Sequence, residues 1–138
     1  MIIDHVGDKN PASANLFKDT PLHKASANDH LDIWKLIIER IEDKNPAAFG
    51  GWTPLHNAAQ NGYFEICKLI IERIKDKNPT DIAVRTPLHY AAQNGNSDVC
   101  RLIIDNVDNR HPVDFFGDTP KSLAVKKNHV ALSQLFES

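Results

Sequence analysis

The sequence predicts an all-α fold in which short helix–turn–helix units stack into a solenoid of about four repeats. Three observations predict it: prolines that recur every 33 residues, a helix-start signature at each recurrence, and a second apolar stretch of helical period behind it. The 138-residue chain has eight prolines. Pro21, Pro54, Pro87 and Pro120 stand 33 residues apart, and Pro11, Pro46, Pro79 and Pro112 form a second column with spacings of 35, 33 and 33. Aligned from Thr53 and Thr86, 15 of 33 positions are identical, far more than coincidence supplies, so the units are copies of one another.

Each copy opens on Thr-Pro-Leu-His-x-Ala: Thr20–Ala25, Thr53–Ala58 and Thr86–Ala91, with a degraded fourth version at Thr119–Ala124. Threonine is a good N-cap because its hydroxyl accepts an orphan helix-start N–H. Proline at the first helical position has no N–H to waste. The first helix ends at Gly62 and Gly95, where glycine suits the left-handed position after a helix, and at Asp29 and Asn128, which tolerate it better than most residues.

A second helix follows, apolar at Ile66, Leu69, Ile70 and Ile74, the spacing of a buried face. Its counterparts are Ile33, Leu36, Ile37 and Ile41, then Val99, Leu102, Ile103 and Val107. Glu39, Arg40, Glu72, Arg73 and Lys75 are expected to face solvent. Asn45-Pro46 and Asn78-Pro79 are expected to stop this helix, since a residue before proline is driven from α geometry.

The recurring string and its 33-residue period resemble the ankyrin-repeat family over essentially the whole chain. The resemblance implies antiparallel helix pairs stacked in a curved row, with hairpin-like fingers projecting from one edge. It also implies a structural role for His23, His56 and His89, bonding backbone between units. Where the family ends its second helix with glycine, this chain has Ile41, Ile74 and Val107, so a longer second helix is expected. Asn45 and Asn78 match a loop asparagine that is hydroxylated in some family members, although the adjoining proline is unusual there.

Residues 1–138 read as one domain: 1–10 the tail of a truncated repeat, 20–52, 53–85 and 86–118 full repeats, and 119–138 a partial capping repeat. Lys121 and Ser122 replace the usual Leu-His pair and suit a polar end cap. Met1–Val6 aligns with Leu36–Ile41 and carries no such polar change, which suggests an excised piece of a longer array.

Sixteen basic against eighteen acidic side chains give a net charge of −2. That balance excludes a strongly basic nucleic-acid arm and an acidic solvating tail. Two cysteines make no disulfide framework, and no apolar run approaches the roughly 18 residues that cross a bilayer. The expected setting is intracellular and cytoplasmic, with no membrane or nucleic-acid partner.

Phosphate loops, paired cysteine ligands and H-E-x-x-H strings are absent. Histidines one per unit cannot converge on a metal, because stacked helices lie roughly 8–10 Å apart and a Zn–N bond needs about 2 Å. By the same spacing Cys67 and Cys100 are expected to be free residues of the inter-helix core. No carboxylate pair suggests acid–base chemistry. No cofactor, metal or catalysis is expected.

Binding remains. Columns that stay constant serve stacking, and columns that vary are free for recognition. In the first helix the variable columns are Lys24, Asn57, Tyr90 and Leu123, then Ala27, Gln60, Gln93 and Lys126. Asp19, Trp52, Arg85 and Asp118 precede each threonine. Four residues before it stand Leu16, Phe49, Ile82 and Phe115, joined by Phe17 and Phe116. An apolar residue at every fingertip either packs within the molecule or forms an exposed stripe, and an exposed one suits a protein partner. The expected function is a monomeric, non-catalytic protein-binding module; the alternative is a spacer segment of a longer array, with recognition or catalysis elsewhere. Candidate contact residues are Leu16, Phe17, Lys24, Phe49, Trp52, Asn57, Gln60, Ile82, Arg85, Tyr90, Gln93, Phe115 and Phe116.

Overall fold

A computed structural model describes residues 20–137. Among the described residues eight α-helices pair in order: α1 (Pro21–Ala27) with α2 (Leu31–Ile38), α3 (Pro54–Asn61) with α4 (Phe64–Ile71), α5 (Pro87–Gln93) with α6 (Ser97–Ile104), and α7 (Pro120–Lys126) with α8 (Val130–Ser133). No strand occurs among them. First helices stack on first helices, α1 on α3 on α5 on α7, and second helices follow in a parallel row.

Every first helix begins with threonine accepting the N–H of the residue three ahead, while that residue's side chain reaches back to the threonine N–H. The helices end as their residues require. Gly62, Gly95, Asp29 and Asn128 all adopt positive φ, at 76°, 75°, 54° and 65°. Gly95 has a second reason to be glycine: a Cβ there would lie 2.9 Å from the His129 ring, which comes from the next unit and contacts the Gln93 carbonyl through Nε2 at 3.2 Å.

The core follows the constant columns. Leu22, Leu55 and Leu88, the alanines Ala58, Ala59, Ala91 and Ala92, and Ile66, Ile70, Val99 and Ile103 are fully buried in one continuous cluster. Cys67 and Cys100 are free and fully buried within it. Burial pushes both thiols up, Cys100 to about 12, so neither is a nucleophile at neutral pH.

Two expectations fail here. The second helices are not longer: they end at Ile38, Ile71 and Ile104, seven residues before each proline column's asparagine or histidine. Ile41, Ile74 and Val107 instead turn back onto the core after the last turn. The Asp-Lys-Asn-Pro string explains the stop better than proline does. Asp43 and Asp76 accept the N–H of Asn45 and Asn78, while Lys44 donates to the carbonyls of Ile38 and Ile41 and Lys77 to that of Ile74, beyond the helix end. Asn45 then accepts the Leu55 N–H at 3.0 Å, tying the loop to the start of α3.

The apolar face of α2 is also not buried like its copies. Ile33 is 49% and Leu36 62% exposed, whereas Ile66 and Val99, one and two units along from Ile33, are fully covered. Ile33 and Leu36 of α2 thus stand open where their copies in α4 and α6 are wholly or partly covered. The far end differs. Lys121 pairs with Glu137, and Ser122 keeps the threonine capping exchange while bonding Asp118. Polar groups thus stand where inner units have Leu, His and Ile.

Candidate functional site

Three fingers, residues 48–52, 81–85 and 114–118, rise immediately before the threonines. Each is closed by one backbone bond across its base: Ala48 N–H to Trp52 C=O (2.6 Å), Asp81 to Arg85 (2.9 Å) and Asp114 to Asp118 (2.9 Å). In the last two, the leading aspartate accepts two further N–H groups. Asp81 Oδ1 takes Ala83 and Arg85, and Asp114 Oδ1 takes Phe116 and Asp118. The aspartate these two fingers share is thus a turn former, a role the variable-column reading did not single out.

Fingers join their neighbours at root and tip. At the root His23, His56 and His89 place Nε2 against the carbonyls of Trp52, Arg85 and Asp118, at 2.8, 3.0 and 2.9 Å. Each Nδ1 receives the N–H of its own threonine, at 3.2, 3.2 and 3.0 Å. Nδ1 therefore carries the lone pair, and Nε2–H donates to the next finger. This confirms the structural role expected for these histidines. Burial drives the His56 pKa down to about 4, the Arg85 carbonyl opposing it in part; burial lowers His89 as well. Nearer the tips, Ile82 N–H donates to Gly50 C=O and Phe115 N–H to Ala83 C=O, both at 2.8 Å.

The side chains at the tips point outward. Phe49 is 67%, Ile82 83%, Phe115 74% and Phe116 69% exposed, so among the described residues the stripe is open rather than packed within the molecule. Phe115 and Phe116 meet edge to face at 5.4 Å. Leu16 and Phe17 lie outside the described residues.

One step below, the candidates interlock. Trp52 stacks on His56 at 4.9 Å, meets Tyr90 edge-on at 4.8 Å, and donates its indole N–H to Asn57. Asn57 in turn donates to the His23 carbonyl of the preceding helix at 3.2 Å. Tyr90 donates its hydroxyl to Asp81, and Arg85 reaches Asp114 at 2.9 Å and Gln93 at 3.1 Å while lying over the Tyr90 ring. Burial raises the Asp114 pKa, but N–H groups of Asp118 and Phe116 and the Arg85 guanidinium outweigh it and hold the carboxyl below its ordinary range. Burial and the Asp81 carboxylate push the Tyr90 phenol up. Trp52, Asn57, Arg85, Tyr90 and Gln93 are half-buried, and so is Gln60, whose carbonyl accepts from Asn94. Lys24 is exposed; Leu123, read as a variable surface column, is buried.

Among the described residues no group of His, Cys, Asp or Glu could hold a metal ion, and no helix is long and apolar enough to cross a membrane. A family model described as ankyrin repeats (3 copies) matches residues 2–81 and again 76–137. No curated protein matches the chain.

Proposed function

The chain belongs to the ankyrin-repeat family, and from that premise we propose that it is a non-catalytic module that binds a protein partner through its fingertips and the adjoining first-helix face. Ankyrin repeats are generally protein–protein interaction modules. The single observation that carries the finer reading is the exposed apolar row Phe49, Ile82, Phe115 and Phe116. Loop side chains of this size leave water when they have somewhere to go within the fold, and here they remain outside. Trp52, Tyr90 and Arg85, held rigid beneath the row, are the residue types that anchor interfaces. A spacer segment would do better with polar tips, as nothing in stacking calls for these side chains.

The test compares the native chain with a Phe49→Ala/Ile82→Ala/Phe115→Ala variant as bait in a lysate. The reading expects proteins retained by the native chain and lost by the variant, with equal melting temperatures. Identical retained sets, or none, would leave the spacer reading.

A further inference from the structure

We propose that Asn94 is a site of spontaneous covalent modification. Its side chain closes on the Gly95 nitrogen and loses ammonia, with the His129 imidazole taking the proton, and the carboxylate left behind loosens the third unit from the second.

Asparagine before glycine is the pairing most open to this chemistry, because glycine has no side chain to screen its nitrogen and the freest backbone. The chain has two such pairs, Asn61-Gly62 and Asn94-Gly95, both preceded by glutamine, and both asparagines are exposed. The structure separates them. Asn61 is the last residue of α3, with its amide shared between the Asn57 and Ala27 carbonyls at 3.0 and 3.4 Å. Asn94 stands just after α5 has ended, at φ −95° and ψ 3°, so ψ can rotate to bring Cγ to the glycine nitrogen without unwinding a helical turn. The Gly62 N–H is shared between the Ala58 and Ala59 carbonyls, whereas the Gly95 N–H meets that of Ala92 at 3.2 Å, the long end of the range.

What lies against each glycine differs as well. Beside Gly62 is the Asn96 amide, with Oδ1 3.0 Å from the Cβ position and its nitrogen given to the Ala59 and Gln60 carbonyls. Beside Gly95 is the His129 ring, with Nδ1 3.0 Å from the Cβ position. Nε2 of that ring faces the Gln93 carbonyl at 3.2 Å. A carbonyl only accepts, so in the neutral ring Nε2 carries the hydrogen and Nδ1 the lone pair. A base therefore rests against Gly95, and a far weaker one against Gly62.

The Gly95 N–H proton passes to Nδ1 as the nitrogen bonds Asn94 Cγ. The imidazolium returns the proton to the side-chain nitrogen, the old C–N bond breaks, and ammonia leaves. The succinimide ring then takes one water at either carbonyl and opens to aspartate or isoaspartate; nothing is oxidised or reduced. Asn94 had donated to the Gln60 carbonyl in the last turn of α3 at 2.8 Å. A carboxylate has no hydrogen to give there, and it sets a negative charge at the C-terminal ends of α3 and α5 together.

The test holds the whole chain at neutral pH and follows its proteolytic peptides by mass spectrometry for the gain of one mass unit, with isoaspartate told apart by fragmentation. Asn94 should convert about tenfold faster than Asn61 in the same molecules. In urea the two rates should become equal, since both sequences read Gln-Asn-Gly. His129→Gln keeps a donor for the Gln93 carbonyl but no basic nitrogen, and should bring Asn94 to the rate of Asn61. Asn94→Asp, which mimics one product, should lower the melting temperature by a few degrees, while Asn94→Gln should stay near native. Equal rates at the two asparagines in the folded chain, a preference for Asn94 that persists in urea, or an Asn94 rate indifferent to His129→Gln would overturn the proposal.

Discussion

The roots and the tips of the fingers lie a few residues apart and obey opposite rules. At the root every polar group is matched: threonine caps helix, histidine caps threonine, and the same histidine holds the next finger's carbonyl. At the tip neighbouring fingers share a single backbone bond, and the side chains are apolar and face outward. The root repeats because a buried N–H or carbonyl without a partner costs about 1–3 kcal/mol, so one solution is kept in each unit. The tip varies among Phe, Ile and Phe because stacking asks only for a turn there. The contrast separates what holds the row together from what is available to something else.

The largest test of that contrast is truncation at each level. Leu88→Ala removes a fully buried side chain and should cost about 2–5 kcal/mol in urea unfolding. Phe115→Ala, a larger loss of carbon from the tip of the adjoining finger, should stay within about 0.5 kcal/mol. Similar costs for the two would erase the distinction.

Acid should attack the root selectively. His56 has its pKa lowered in the folded chain to about 4, so the unfolded chain binds a proton first as pH falls below the ordinary value of 6.5. Its contribution is therefore complete above pH 6.5 and disappears as pH falls from there to about 4, a loss of roughly 3 kcal/mol by linkage. His89 acts in the same direction, and Asp114, held below 3.8, withdraws support at still lower pH. Denaturant midpoints measured from pH 7.5 to 4 should fall through this window, and His56→Gln should flatten the fall. A pH-independent midpoint would contradict the neutral, Nε2-protonated arrangement.

Between root and tip the sequence was harder to read. The 33-residue period, the helix caps and the constant core columns were all legible, because each follows from a local requirement repeated several times. The length of the second helix was not. Ile41, Ile74 and Val107 continue an apolar pattern that turns back onto the core instead of extending a helix, and an aspartate and a lysine that bond backbone in the loop carry no periodic signal of that turn. The candidate surface was legible at its tips and less so beneath them. Trp52, Arg85, Tyr90 and Gln93 vary between units, yet they are tied to one another across unit boundaries. Variation meant freedom at Ile82 and Phe116; at Trp52 and Arg85 it meant a different local solution to the same packing. Trp52→Ala should accordingly cost about 1–3 kcal/mol, through lost packing on His56 and Tyr90 and the lost bond to Asn57, where Phe49→Ala should be nearly silent in a thermal melt.

The smallest effect is also the most pointed, because it asks tip and root to move in opposite directions. Val84 occupies the column that holds Gly51 and Gly117, and it adopts φ 59°, a left-handed conformation that a β-branched residue enters at a cost of about 1–2 kcal/mol. Its side chain is 43% exposed beside Ile82, so little packing compensates it within the chain. Val84→Gly removes that strain but loosens the unfolded chain, which takes back about half of the gain. The net should be a stabilisation of about 0.5–1 kcal/mol, seen as a melting temperature raised by a few degrees. If the strained valine serves a partner, the same variant should bind that partner more weakly even as it melts later. A variant that melts no later would mean the strain is relieved by contacts in the finger itself, and the tip would then obey the rule of the root.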